Sequence, residues 1–193
     1  MYFVKGGGVL WLQGASTVAW AANEKLTEAT WRMTPAQQQA ADLKSAKKKN
    51  PSADTQGGLL PERKPFSAAS DDYAFTLVRG AILQGDLDTS HPLGYGYTSN
   101  ELAVFRTTNR FMNPSSNAYS SPVVYTDAPL LSGYMSDDNR TLVANSAGLV
   151  VDERGDGAVV LSLDSPTFRA FWWGTQRLLV NGIFFGDLLR EPR

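Results

Sequence analysis

The chain has 193 residues, of which 42% are hydrophobic and 19% charged, and its formal net charge is −1. This length suits one domain with a proper core, and the near balance of charge gives no electrostatic reason to expect nucleic acid or a membrane as a partner. The chain contains no cysteine, which excludes disulfides, thiolate metal sites and cysteine nucleophiles.

The first 26 residues predict one α/β unit. Residues 2–5 are typical of the end of a helix, which the glycines at 6–8 can terminate. The run VLWLQ at 9–13 is continuously apolar, as in a parallel strand buried on both faces. A helix follows at 16–26, capped by Ser16 or Thr17. Since a domain rarely starts at the last turn of a helix, we expect a single domain over 1–193 that is a fragment of a longer protein.

Residues 34–65 form a polar insertion with scattered proline and glycine. The pattern predicts a short helix over 35–48 and then a mobile loop to about residue 65. The lysines at 47–49 lie at the end of that helix, where they favourably face the helix dipole in solvent; an anion-binding patch is the alternative.

The rest of the chain predicts strands, a hairpin and two helices. Strands are expected within 71–87, ending near Leu87, and at 101–108 and 122–126. A helix with Ser136 as its N-cap is expected over 136–148, and a β-hairpin over 149–163. A helix over 165–189 would have Pro166 in its first turn. We therefore predict an α/β fold with a mostly parallel sheet, in which the hairpin is the antiparallel part.

The segment GDLDTSHPLGYGYTSNE contains the single histidine, His91, shortly after Asp86 and Asp88. A zinc site needs three or four ligands, so one histidine and two aspartates are too few. A Ser-His-Asp triad lacks the Gly-x-Ser-x-Gly motif that would present its nucleophile. We predict a polar turn at the end of a strand, or else a site for a small ligand or a partner.

The segment FRAFWWGTQR concentrates aromatic residues around Arg169 and Arg177, a composition that fits either a helix start packed in the core or a protein interface. Adjacent helical residues lie ~100° apart, so we expect one of Trp172 and Trp173 to point inward with Phe168 and Leu179. The other should lie at the rim, where it could cover Arg169 or a neighbouring domain. The candidate ligand or interface residues are Asp86, Asp88, His91, Tyr95, Tyr97, Arg106, Arg169, Trp172 and Trp173.

Several segments, FVKGGGVLWL, DLDTSHPLGYGY, ELAVFRT, PLLSGYMS and DSPTFRAFWWGTQRLLVNGIFFG, resemble the C-terminal domain of bacterial zinc carboxypeptidases of the carboxypeptidase A-like family. The resemblance covers roughly 2–33 and 66–187. It implies a three-layer, flavodoxin-like fold of the class I glutamine amidotransferase type, and a secreted or periplasmic location. It also implies an N-terminal peptidase domain as partner, which would hold the zinc.

This chain has neither the His-x-x-Glu of such peptidases nor the cysteine of glutamine amidotransferases. The resemblance therefore implies a non-catalytic accessory domain that supports the peptidase, helps substrate access or mediates homo-oligomerisation, with no cofactor of its own. Two alternatives remain. One is a ligand-binding module in which His91, Asp88, Tyr95 and Arg169 face a pocket for a carboxylate or sugar. The other is an unfamiliar hydrolase.

Overall fold

The computed structural model describes residues 2–33 and 63–190, together with Gln38 and Asp42. The helix predicted at 35–48, the lysine cluster and nearly all of the polar insertion lie outside the described residues.

The described residues form eight strands and five α-helices, connected by short 3-10 turns. The strands are β1 (Val9–Gln13), β2 (Trp31–Arg32), β3 (Ala81–Leu87), β4 (Glu101–Arg106), β5 (Phe111–Met112), β6 (Val123–Gly133), β7 (Ala147–Arg154) and β8 (Gly157–Ser162). The helices are α1 (Tyr2–Lys5), α2 (Ala15–Asn23), α3 (Ala69–Thr76), α4 (Asp137–Val143) and α5 (Gln176–Phe184). The 3-10 turns are Phe66–Ala68, Pro92–Gly94, Phe168–Ala170 and Gly186–Leu188.

The strands form one sheet in the order β1-β8-β7-β6-β3-β4, and β5 joins β2 to β7 beside this path. Among the described strands, only β1 and β8 pair in parallel, from Val9 opposite Ala158 to Gln13 opposite Ser162. The other pairs are antiparallel. The sheet is thus mostly antiparallel, which corrects the expectation of a mostly parallel sheet.

A short connection accounts for one of the antiparallel pairs, β7 with β8. A parallel pair needs a long crossover, whereas a short link joins antiparallel neighbours. Strands β7 and β8 are joined by a two-residue turn in which Gly155 has a φ of 68°, so the predicted hairpin is confirmed. The apolar run of β1 does mark a strand in parallel pairing, but its composition says nothing about the direction of the other strands.

Helices cover both faces of the sheet. Val151 and Val160 contribute to the core on one face, together with Leu178 of α5. Val150 and Val159 face the opposite way, onto a second cluster that includes Val18 of α2. This alternation follows from the two-residue period of a strand. The α/β class predicted from the sequence is confirmed.

Several predicted elements have the expected type but different bounds. Residues 69–76 form α3, at the start of the range 71–87 in which a strand was predicted. Strand β3 then ends at Leu87, as predicted. The Ser136 hydroxyl caps α4 by accepting a hydrogen bond from the Asn139 amide at 3.4 Å. That helix ends at Val143, because Ala147 already belongs to β7.

The predicted C-terminal helix was wrong over its first half. The α-helix begins at Gln176 rather than near Pro166. Before it, Arg169 and Ala170 have φ angles of 48° and 56°, a left-handed conformation that interrupts any helix. Trp172 and Trp173 therefore lie on an irregular segment, and helical geometry does not set their directions.

Candidate functional site

The histidine segment is a polar turn held by its own hydrogen bonds. One carboxylate oxygen of Asp88, Oδ1, accepts hydrogen bonds from the amide and the hydroxyl of Ser90 at 2.9 and 2.6 Å. The hydroxyl of Ser90 is the main cause of the lowered pKa of Asp88. His91 Nδ1 accepts a hydrogen bond from the Leu93 amide at 3.1 Å. Both side chains that suggested a ligand or metal site are therefore engaged in shaping the turn.

Burial lowers the pKa of His91 below its ordinary value of 6.5, although Asp88 opposes the shift. Protonation of Nδ1 would also remove the acceptor for the Leu93 amide. The folded state therefore binds this proton more weakly than the unfolded chain does. The resulting contribution to stability is fully present above pH 6.5, and it is lost as the pH falls through the lower folded pKa.

We therefore expect the free energy of unfolding to fall between about pH 7 and pH 5 by more in the natural chain than in His91→Asn. Asparagine retains a side-chain acceptor for the Leu93 amide but does not titrate. Urea denaturation of both proteins across this range isolates the imidazole, because other groups contribute equally to each. An NMR titration of the single imidazole should give a midpoint below 6.5. A midpoint at or above that value would contradict the assignment.

Helix α5 and the residues just before it form hydrogen bonds with the turn that follows His91. The side-chain amide of Asn181 donates hydrogen bonds to the carbonyl oxygens of Leu93 and Tyr95, both at 2.8 Å. The Tyr97 hydroxyl donates to the Gly174 carbonyl at 2.9 Å, and burial raises its pKa to about 12. The side chains of Asn181 and Tyr97 thus hold the turn against the segment 174–181.

The remaining candidates from this segment lie at its surface. Asp86 is at the exposed end of β3 and accepts a hydrogen bond from the Asn100 side chain at 2.9 Å. The ring of Tyr95 meets the ring of Phe185 edge-on, with 5.4 Å between centroids. Asp86 is also directly opposite Glu101 in the register of β3 and β4.

Arg106 is the centre of a buried polar cluster, which the sequence did not predict. Its side chain has 0% exposure, and its Nη1 lies 2.9 Å from Asp164 Oδ2. The Tyr125 hydroxyl donates to the same carboxylate oxygen at 2.5 Å. Burial raises the pKa of both Asp164 and Tyr125, while the charge of Arg106 opposes each shift.

The other guanidinium nitrogens of Arg106 hold the chain that follows β4. Nε donates to the Thr108 carbonyl at 3.0 Å, and Nη2 donates to the Arg110 carbonyl. The guanidinium carbon also lies 4.7 Å from the centroid of the Phe111 ring. With no exposure to solvent, this cluster is placed to stabilise the fold and not to meet a large ligand.

The aromatic segment covers the edge of β4. Trp172 Nε1 donates to the Ala103 carbonyl at 3.1 Å, and its ring lies 5.6 Å from that of Phe105. Trp173 is instead 77% exposed, and Phe171 is 54% exposed. Trp172 is thus half-buried against β4, whereas Trp173 is exposed. Arg169 lies over the Phe168 ring at 5.3 Å.

The candidate residues are therefore distributed over three places: the turn after β3, the Arg106 cluster and the aromatic segment. A cavity of about 330 Å³ is lined by residues of β1 and α5, and one of about 20 Å³ lies beside Asp164. Neither is lined by His91 or Arg169. Sequence reasoning missed Tyr125 and the pairing of Asp164; the one available signal was an aspartate directly after the apolar run of β8.

The described residues contain no group of three or more histidine, aspartate or glutamate side chains placed to hold a metal ion. No helix among them combines the length and apolar character that a membrane crossing requires. No family model, no curated protein and no solved structure matches this chain.

Proposed function

We propose that this chain is a non-catalytic accessory domain that packs against a second folded domain. The resemblance to the C-terminal domain of bacterial zinc carboxypeptidases supports that role and suggests an N-terminal peptidase domain as the partner. The parent protein would then hydrolyse C-terminal peptide bonds with a zinc-activated water held in that domain. A secreted or periplasmic location belongs to the same proposal.

The free edge of β1 is the observation that carries the proposal. Among the described strands, β1 pairs only with β8 and ends the sheet on that side. Its sequence, VLWLQ, is the kind of apolar run found in strands that are covered on both sides. Proteins usually shield such edges, because exposed backbone groups pair with other chains. A further strand from a neighbouring domain would complete the sheet here, continuing the parallel, flavodoxin-like part that the resemblance implies.

Apolar side chains extend this surface. Ile183 and Phe184 line the cavity beside β1 and are 71% and 78% exposed. Phe3 of α1 is also exposed. Large apolar patches on a domain mark interaction surfaces. The exposed Phe171 and Trp173 form a second, smaller apolar surface at the opposite edge of the sheet.

The position and hydrogen bond of His91 also favour an accessory role over the two alternatives, a ligand-binding module and a hydrolase. The proposed ligand module needed His91 and Arg169 in one pocket, and they line neither cavity described above. The proposed hydrolase needed a nucleophile beside a free base, whereas Nδ1 of His91 accepts a backbone hydrogen bond.

The chain alone should self-associate through the β1 edge, and Phe184→Glu should weaken this association at least about tenfold, because a carboxylate would be buried at the contact. Sedimentation equilibrium of both proteins measures the effect. Trp173→Glu is the matched control at the other aromatic surface, and its smaller effect would place the main contact at β1. A monomer at all concentrations, or peptide hydrolysis that a zinc chelator abolishes, would contradict the proposal.

A further inference from the structure

A cavity of about 20 Å³ lies against the buried Asp164. Its wall is largely apolar and includes Val104, Val123 and Leu178. Polar atoms come from Asp164, Ser165 and Thr175, which also line it. Roughly 10–15 Å³ measured in this way accommodates one water molecule, so the space is sufficient for a single small molecule and for nothing as large as a metabolite.

Only one of the two oxygens of the Asp164 carboxylate has hydrogen-bond partners in the described structure. Oδ2 receives hydrogen bonds from Arg106 and Tyr125. Oδ1 is buried and has no hydrogen-bond partner among the described residues. The residue as a whole is 6% exposed. A buried acceptor without a donor is unfavourable, and more so if it is charged, so a donor bound in the cavity would stabilise the fold.

Thr175 supplies a second partner on the cavity wall. Its hydroxyl donates to the Pro166 carbonyl at 2.6 Å, so the lone pairs of Oγ1 remain able to accept. Asp164 and Thr175, which both line the cavity, thus carry two acceptor atoms, Oδ1 and Oγ1, that could bind one small molecule with two donor hydrogens. Because Arg106 already neutralises the carboxylate at 2.9 Å, a neutral molecule fits better than a cation.

We propose that this cavity is the binding site of one structural water molecule, which donates a hydrogen bond to Asp164 Oδ1. The water completes the coordination of a carboxylate whose other oxygen is held by Arg106 and Tyr125. It therefore acts as a fixed part of the core beneath β4, β6 and β7.

A high-resolution crystal structure of the natural chain tests the proposal directly. We expect a density peak within about 2.6–3.2 Å of Asp164 Oδ1, present whether or not the crystals contain ammonium. A peak seen only with ammonium, or a protonated Oδ1 that donates directly to Thr175 with no peak, would overturn it.

A matched pair of variants gives an independent readout in solution. Val123→Ile adds a methyl group on the cavity side of β6, whereas Val124→Ile adds it on the opposite face of the same strand. ¹⁷O relaxation dispersion counts long-lived waters without interference from exchanging hydroxyl protons. We expect Val123→Ile to have one fewer long-lived water than the natural chain and Val124→Ile to have the same number. Val104→Ile replaces Val123→Ile if the latter does not fold. Equal numbers in all proteins would contradict the site.

Discussion

Replacing Arg106 with methionine should lower the free energy of unfolding by about 3–5 kcal/mol, the usual cost of removing one partner of a buried ion pair. The guanidinium is fully buried and lies 2.9 Å from Asp164 Oδ2. Without it, the carboxylate would be a buried charge with no counter-ion, and the Thr108 carbonyl would lose its donor. Urea denaturation followed by tryptophan fluorescence measures the loss.

The double variant Arg106→Met/Asp164→Leu is the control that separates the pair from its surroundings. Apolar replacement of both members of a buried pair is often nearly neutral, so the double variant should be more stable than Arg106→Met alone. Such a result gives a large coupling energy in the double-mutant cycle. If the effects of the two substitutions simply add, Arg106 acts through its backbone hydrogen bonds and not through Asp164.

Replacing Asn181 with alanine should cost about 1–3 kcal/mol for each carbonyl that it leaves unpaired. The buried side-chain amide donates to the carbonyl oxygens of Leu93 and Tyr95, both at 2.8 Å. Alanine favours the helix but cannot replace either bond, so the turn after His91 should also loosen. Thermal melting measures the stability, and hydrogen exchange of the 92–97 amides reports on the turn.

Arg177→Ala is the matched control on the same helix. Its Nη1 donates to the Gly96 carbonyl at 2.6 Å at an exposed position, where water can take over the bond. Its contact with the Tyr97 ring, at 5.8 Å, is worth about 0.5–1 kcal/mol at most. A cost for Arg177→Ala equal to that of Asn181→Ala would show that the two substitutions disturb the turn in the same general way.

Local signals in the sequence predicted local structure well. Glycines and a capping serine gave the ends of α1 and α4, and two apolar runs around Gly-Asp-Gly gave the β7–β8 hairpin. The prediction failed for the direction of strand pairing and for the start of α5. Pairing depends on contacts far apart in the chain, and the left-handed conformation of Arg169 and Ala170 carries no signal in their residue types.

In the candidate site, too, local contacts were predictable from the sequence and long-range contacts were not. The turn around His91 was predictable because the hydrogen bonds of the Asp88 and His91 side chains join residues two apart. The Arg106 cluster was not, because Arg106 and Asp164 are separated by 58 positions and an arginine beside apolar residues is usually a surface residue. Asn181 was not predicted either, because its two carbonyl partners, Leu93 and Tyr95, are more than 80 positions away.

The pairing of β1 with β8 has a consequence for the order of folding. The β7–β8 hairpin closes through a two-residue turn, whereas β1 must find β8 across almost the whole described chain. Long-range pairing requires loop closure before any contact compensates for the lost entropy. The hairpin is therefore suited to form first and to serve as the template on which β1 docks late. Because closure entropy grows only with the logarithm of loop length, inserting or deleting a few residues between them should hardly change that cost.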